Sequence, residues 1–258
     1  MPFDNREVLG VHLTPISRRD LTQEMVKILE DGRREVILPV NAHFVNLAHT
    51  NPWLRTFVRT VRYVTCDGAG LLLATRVLGN GLPEQIRFLD WVHDVFEVCE
   101  KKGYSLYFLG ADEATVKKAE VRMKTRYPEL RIVGSHHGYF VKSGKENEKV
   151  IEDVIRANPD VLLTGFSMPL EEQWLSENRD RLNVKLVILG SGCYENLSGK
   201  MPSCPTWLSR LHLEWLFRLM LEPRRLFWRY VVGNPLFIAR ILVQRLQQDR
   251  RAEKNTAL

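Results

Sequence analysis

The sequence predicts an α/β fold in which a largely parallel sheet carries helices on both faces, followed by a C-terminal helical appendage. From about residue 6 to residue 195, short β-branched apolar segments alternate with longer amphipathic ones, as in chains built from β–α units. After Pro202 the strand-like segments stop, and tryptophan and arginine become frequent. We therefore expect a Rossmann-like core over residues 1–202 and an appendage over residues 203–258.

The first half of the core is expected to contain three strands and three helices. Strands are assigned where β-branched or aromatic apolar residues run together without a breaker, and helices where apolar residues recur at helical spacing. Ser17 suits the N-cap of the first helix. In chain order the predicted elements are an edge strand over 8–13, a helix over 18–30, a strand over 35–40, a helix over 43–56, a strand over 61–66 and a helix ending at 77.

The second half continues the same alternation. The predicted elements are a helix over 90–101, a strand over 105–109, a helix over 111–127, a strand over 131–133, a helix over 145–157, a strand over 161–164, a helix over 170–178 and a strand over 184–189. The appendage is predicted to form two helices hinged at Pro223, because proline starts helices and breaks their interiors.

The charge of the appendage indicates an anionic partner. The chain has a net charge of +6, and residues 207–251 contain nine arginines against three acidic residues. Aromatic and basic side chains interleaved on helices suit a membrane interface, although a helical hairpin packed on the core with solvated arginines is the alternative. No zinc motif or stacking sheet accompanies this charge, so nucleic acid is not expected.

The composition also bears on the compartment. No uninterrupted apolar stretch reaches the roughly 18 to 20 residues that span a bilayer, and residues 1–7 carry no signal-peptide pattern. We therefore expect the bulk of the protein in the cytoplasm.

One carboxylate stands at the end of a predicted strand. Asp67 directly follows that strand in VTCDGAG (64–70), and Gly68 and Gly70 allow the backbone to turn tightly. Ligands of open α/β sheets bind at the carboxyl ends of strands, where a carboxylate can act as a base. The alternative is that Asp67 merely caps the following helix.

Six segments in order carry a resemblance that covers nearly the whole chain. They are PVNAHFVNLA from residue 39, TCDGAG from 65, LYFLGADEATVKKAEVRMKTRYPELRIVGSHHGYF from 106, LLTGFSMPLEEQWL from 162, LSGK from 197 and LEWLFRLMLEPRRLFWRY from 213. This ordered set resembles the WecG/TagA/CpsF glycosyltransferases of bacterial surface-glycan biosynthesis.

The resemblance implies an inverting transfer of a sugar from a nucleotide donor, usually a UDP-sugar, to a lipid-diphosphate-linked sugar. Asp67 matches the proposed base of the family. Asn41 matches a residue of the same cleft, where its amide could bond sugar hydroxyls, or it could simply cap the helix that follows. The expected location is the cytoplasmic face of the bacterial inner membrane, with peripheral attachment through the C-terminal helices.

The nucleoside diphosphate that leaves must be stabilised as its charge grows. The chain has no Asp-x-Asp motif, so we expect no metal and no cofactor. Backbone amides beside strand-end glycines could cradle the nucleotide, and the resemblance implies that appendage arginines close over the site. The candidates are Gly110, Gly134 and Gly165 for the first role, and Arg218, Arg225 and Arg229 for the second.

The chain departs from the family pattern at several positions. Four residues of this chain stand where relatives usually have another. They are Pro39 in place of Thr, Gln85 in place of Arg, Glu171 in place of Gln and Glu195 in place of Asp. Arg87 or an appendage arginine could supply the charge that Gln85 lacks, and Glu171 could bond sugar hydroxyls. These changes fit altered donor specificity, or weakened catalysis in a protein that binds nucleotide-sugar or lipid-linked glycan as a scaffold. The sequence does not identify the sugar, the acceptor glycan or the oligomeric state.

Overall fold

The computed structural model describes residues 5–79, 81–202, 204–205, 207–208 and 213–256. In chain order its strands are β1 (Arg6–Val8), β2 (Val11–Leu13), β3 (Glu35–Val40), β4 (Tyr63–Cys66), β5 (Ser105–Gly110), β6 (Arg131–His136), β7 (Val161–Gly165) and β8 (Leu186–Leu189). The helices of the core are α1 (Arg18–Asp31), α2 (Ala42–Thr50), α3 (Pro52–Thr60), α4 (Ala69–Val77), α5 (Phe88–Lys102), α6 (Glu113–Arg126), α7 (Gly144–Ala157), α8 (Leu170–Asn178) and α9 (Tyr194–Leu197).

The main sheet confirms the predicted fold class. Its six strands follow the order β4-β3-β8-β7-β5-β6, and every neighbouring pair is parallel. Both faces are covered, since one apolar cluster contains Val36, Leu38 and Val187 and the other contains Ile37, Phe108 and Ile188. Adjacent strand residues thus bury opposite faces, as a sheet between two helical layers requires. All six carboxyl ends lie along one edge.

Two elements near the N-terminus differ from the prediction. The single edge strand expected over 8–13 is a hairpin of β1 and β2, because Leu9 and Gly10 adopt positive φ values of 51° and 84°. The hairpin borders β4, where the Thr14 amide donates to the Val64 carbonyl at 2.8 Å. The helix expected over 43–56 is broken into α2 and α3, because Asn51 caps a new helix that begins at Pro52.

The appendage contains helices on both sides of Pro223, as expected. They are α10 (Glu214–Leu221), α11 (Pro223–Phe227), a π-helical turn (Trp228–Val232) and α12 (Gly233–Thr256). Ser203, at the predicted boundary between core and appendage, lies outside the described residues, and the division into two domains stays a prediction.

Helix α12 is fixed to the core along one side. Phe237 and Ile241 are buried against it, each only 3% exposed. Asn46 of α2 donates to the Gly233 carbonyl at 2.7 Å and accepts from Arg240 at 2.8 Å. Apolar packing and directional hydrogen bonds together fix the position of α12 on the core.

The helical run Pro223–Arg250 is long and apolar enough to cross a membrane, and 17% of its most apolar stretch is buried. The sequence analysis missed this property because arginines interrupt the run. Length and composition alone do not distinguish a crossing helix from one that lies on a surface.

Candidate active site

The polar side chains singled out from the sequence gather at the carboxyl edge of the sheet. Asn41 follows β3, Asp67 follows β4 and Glu171 lies in the first turn of α8 after β7. From β4 to β7 there are three inter-strand spacings, about 14 Å. The edge therefore has two clusters, one around Asp67 and one around Glu171.

Asp67 does not cap α4, so that alternative is wrong. Gly68 is the N-cap of α4 and no side chain caps this helix. The Oδ1 atom of Asp67 instead accepts a 2.7 Å hydrogen bond from the amide of Phe88, the first residue of α5. Among the described residues no donor is bonded to Oδ2. One carboxylate oxygen is anchored, and the other can accept a proton.

The surroundings of Asp67 make it a stronger base than an ordinary aspartate. Burial raises the pKa of Asp67 to about 6, against the opposing effects of the Phe88 hydrogen bond and the positive charges of Arg218 and Arg229. The carboxylate is still largely ionised at pH 7, and it holds a proton more readily than a solvated carboxylate does. This combination suits a general base.

Asn41 caps α2, which is one of the two roles that the sequence left open for it. Its Oδ1 accepts from the amides of His43 and Phe44 at 3.1 and 3.2 Å. Asn41 also packs against the Asp67 turn, because a Cβ placed on Gly68 would lie 3.3 Å from its Cβ. The cap thus positions Asn41 beside the Asp67 turn, and a sugar-binding role of its amide stays a prediction.

His43 is a site residue that the sequence analysis did not select. Burial, then the positive charge of Arg229, lower the pKa of His43 to about 4, so the imidazole is neutral at pH 7. Its position two residues after Asn41 was the available signal. As a neutral ring it can donate one hydrogen bond and accept another.

The loop before α5 holds the Asp67 turn in place. The side-chain amide of Gln85 donates to the Asp67 carbonyl at 3.3 Å, and the Ile86 amide donates to the Cys66 carbonyl at 2.8 Å. Arg87 pairs with Asp90 and, at 3.1 Å, with Glu214 of the appendage. The charge of Arg87 is therefore already balanced, which argues against Arg87 as the replacement for the arginine that relatives have at Gln85.

The three appendage arginines differ in their environments. Arg229 and Arg218 stabilise the Asp67 carboxylate through their charge, and Nε of Arg229 is buried without a hydrogen-bond partner among the described residues. Arg225 is instead paired with Glu222 at 2.8 Å. Arg218 and Arg229 are thus the two appendage arginines whose charge acts on Asp67.

The glycines at the strand ends are close-packed. A Cβ on Gly110 would lie 2.5 Å from the Gly165 carbonyl oxygen, and one on Gly165 would lie 2.6 Å from the Tyr194 ring. Tyr194 also donates to the Leu163 carbonyl at 2.6 Å. No larger residue fits at these positions for packing reasons alone, and nucleotide binding by their amides stays a prediction.

Gly134 is not at a strand end, contrary to the prediction. Strand β6 continues to His136, so Gly134 lies inside it. A Cβ there would lie 2.5 Å from the Tyr107 ring of neighbouring β5. Gly134 is required because that ring packs over the strand.

Glu171 is buried and already hydrogen-bonded, so in this structure it is not presented to a sugar. Its carboxylate accepts from the Ser191 hydroxyl at 2.6 Å and from the Thr164 hydroxyl at 3.1 Å. These bonds tie the end of β7 to the loop after β8. Glu171 therefore acts here as a structural link between two loops of the sheet edge.

Glu172 is buried beside it and has no hydrogen-bond partner for either carboxylate oxygen among the described residues. Burial, then the negative charge of Glu171, raise the pKa of Glu172 well above its ordinary value of 4.5. Between pH 4.5 and the raised pKa, the Glu172 side chain has lost its proton in the unfolded chain and keeps it in the folded chain. The free energy of unfolding therefore falls as the pH rises through this range.

We expect Glu172→Gln to remove this pH-dependent loss. The melting temperature of the variant should exceed that of the parent more at pH 8 than at pH 4.5, by about 2–4 °C for each unit of pKa shift. Thermal unfolding followed by circular dichroism checks this, with Glu177→Gln, an exposed position on the same helix, as the control. An equal difference at both pH values would contradict a protonated Glu172.

Glu195 lies on α9, with Oε2 buried and unpartnered within the described part of the chain. After the larger effect of the Glu222 hydrogen bond, the negative charge of Glu195 also raises the pKa of Arg225. Its role toward a nucleotide stays a prediction.

The described residues contain no group of three or more His, Cys, Asp or Glu side chains arranged to hold a metal ion. Arg218 and Arg229, whose positive charges act on Asp67, are cationic groups that an anion could use at this edge.

Comparisons with known proteins identify a family and several relatives of this chain. A family model described as "Glycosyl transferase WecG/TagA/CpsF family" matches residues 6–251. Three relatives bear the name N-acetylglucosaminyldiphosphoundecaprenol N-acetyl-beta-D-mannosaminyltransferase. They come from Bacillus subtilis strain 168 (28% identity, 70% of this chain and 68% of the relative), Bacillus spizizenii (22%, 83% and 81%) and Staphylococcus aureus strain NCTC 8325 (23%, 74% and 73%).

Proposed function

Because the chain belongs to the WecG/TagA/CpsF family of glycosyltransferases, we propose that it transfers a sugar from a UDP-sugar to a polyprenyl-diphosphate-linked acceptor. The product is an intermediate of bacterial cell-surface polysaccharide. The names of the relatives support the acceptor, since they specify a sugar attached to diphosphoundecaprenol. At 22–28% identity we leave the transferred sugar to experiment, because pocket preference depends on few contacts.

The single observation that carries the proposal is the carboxylate at the end of β4. Asp67 is held by the Phe88 amide, has one oxygen available and has a pKa of about 6. It takes the proton of the acceptor hydroxyl as that oxygen attacks the anomeric carbon. The bond from this carbon to the nucleoside diphosphate breaks in the same step, and the proton remains on Asp67.

A base in this position implies inversion. The names of the relatives specify a β-linked product, and an α-linked nucleotide donor reaches that product by one displacement. A single displacement needs a base for the acceptor and no nucleophile on the protein. The Asp67 cluster supplies the base.

The leaving diphosphate gains negative charge as its bond to the sugar breaks. The positive charges of Arg218 and Arg229 act on Asp67, and a buried guanidinium stabilises such charge more than a solvated one does. We therefore propose that these arginines replace a metal ion in this role.

The appendage is proposed to attach the protein to the cytoplasmic face of the inner membrane without crossing it. A crossing helix would surround itself with lipid, whereas α12 is fixed to the core by Phe237, Ile241 and the Asn46 bonds. Its other side exposes Leu236, Ile238, Leu242, Val243 and Leu246. We call these five residues the outer face of α12.

The test of the proposal is a transfer assay without added metal. The purified protein is incubated with a panel of UDP-sugars and a short-chain lipid-diphosphate-linked N-acetylglucosamine, and UDP release and acceptor mass are followed. We expect one donor to add its sugar mass to the acceptor, at a rate unchanged by EDTA within about twofold.

Loss of transfer in EDTA, restored by Mg²⁺, would contradict the role given to the arginines. Binding of UDP-sugar without product across a broad acceptor panel would instead favour the scaffold alternative.

A further inference from the structure

Two apolar side chains of the core are exposed next to the appendage. On α4, Leu73 is 60% exposed and Val77 is 41% exposed. Residues four apart lie on one face of a helix, so the two side chains form a single patch. The opposite side of α4 is buried through Leu71 and Thr75. We call Leu73 and Val77 the α4 patch.

The C-terminal end of α4 lies against one flank of α12. Arg245 of α12 approaches the end of α4, since a Cβ placed on Gly79 would lie 3.7 Å from Nη1 of Arg245. Around the helix axis, Arg245 lies about 40° from the buried Ile241, and Leu242 lies about 60° beyond Arg245 in the same direction. The flank of α12 that meets α4 thus leads directly into the exposed apolar residues of its outer face.

We propose that the surface contacting the bilayer continues from α12 onto the core, with the α4 patch entering the head-group region of an anionic membrane. This inference rests on the proposed membrane attachment and extends it to a part of the catalytic core. The α4 patch is bordered by the exposed Arg76, and an apolar centre with basic neighbours is the pattern of interfacial helices. The named acceptors of the relatives are attached to undecaprenol, a lipid, which favours a bilayer over a second copy of the chain.

Contact at α4 has a consequence for the reaction. Helix α4 begins at Ala69, two residues after Asp67, and Leu73 lies about 6 Å further along its axis. A bilayer that holds Leu73 therefore sets the distance between Asp67 and the phosphates of a lipid-linked acceptor. Attachment through α12 alone would leave that distance less defined.

The test compares Leu73→Glu with Val121→Glu, which changes an equally exposed apolar residue (66%) on α6, a helix that packs against β6 at the other end of the sheet. Full-length protein is sedimented with vesicles of phosphatidylethanolamine and phosphatidylglycerol. We expect Leu73→Glu to weaken partitioning about tenfold and Val121→Glu to leave it unchanged.

A second readout separates this inference from the proposed function. Transfer to acceptor embedded in vesicles should fall in Leu73→Glu, whereas transfer to a short-chain acceptor in solution should match the parent. Val77→Glu gives the same comparison if Leu73→Glu folds poorly. Parent-like partitioning of both α4 variants overturns the inference and leaves the transferase proposal intact.

Two other results would also overturn the inference. If the parent itself does not sediment with vesicles, membrane attachment through either helix fails. If light scattering shows a parent dimer that Leu73→Glu converts to a monomer while partitioning is unchanged, the α4 patch is an interface between copies.

Discussion

Asp67→Asn is expected to lower the turnover number about 10³-fold while leaving UDP-sugar affinity within a few-fold of the parent. The amide oxygen of asparagine can still accept the hydrogen bond from Phe88, so the turn keeps its anchor. The amide cannot take a proton from the acceptor. Single-turnover kinetics and donor titration by calorimetry measure the two quantities separately.

The matched control for this variant is Asp94→Asn, which neutralises a carboxylate of α5 that forms an ion pair with Arg18. We expect its turnover to stay within a few-fold of the parent, because a partly exposed pair contributes little. Comparable losses in both variants would indicate a general effect of charge, and parent-like turnover of Asp67→Asn would remove Asp67 as the base.

Arg229→Gln is expected to lower turnover about 10²-fold at pH 7, since it removes a cation that we propose stabilises the leaving diphosphate. It should also change the pH dependence. In the parent, we expect activity to rise with pH through about 6, as Asp67 loses its proton. Arg229 favours the ionised form, so its loss raises the pKa of Asp67 and moves this rise to higher pH.

The pH profile of kcat/KM measures this shift. The control is Arg224→Gln, because Arg224 is exposed on α11, the short helix that directly precedes the π-helical turn of Arg229. The control should keep the parent profile. An unshifted rise in Arg229→Gln, at any level of activity, would show that Arg229 does not act on Asp67.

The sheet was predictable because its signal is local. Each parallel strand is a short apolar run followed by a polar or glycine residue, and six such runs became the six strands. Boundaries were less predictable. Strand β6 runs beyond Val133 because β5 supplies partners as far as His136, which the sequence around Gly134 does not reveal.

The position of Asp67 at a strand end was predictable, and its partners were not. Asp67 follows from a strand, a carboxylate and two glycines, and the resemblance supports it. Its hydrogen bond comes from Phe88, 21 residues away, and the arginines whose charge acts on it come from the appendage. Such contacts depend on how the chain closes on itself. The same reason explains Glu171 and Glu172, where nothing local indicates burial of two adjacent carboxyl groups.

The choice between Asn41 as a cap and Asn41 as a sugar ligand shows a further limit. Capping uses the carbonyl oxygen of its side chain. The same side chain keeps an amide group that can donate to a ligand, so the two roles are compatible. A local pattern that satisfies both cannot separate them.

The measurement that tests the central claim most directly is the anomeric configuration of the product. The glycan formed from an α-linked UDP-sugar is isolated, and its one-bond C1–H1 coupling is measured by NMR. We expect a β-linked sugar, formed by one displacement with Asp67 as the base. An α-linked product would mean retention, which a single displacement cannot give, and would contradict the role proposed for Asp67.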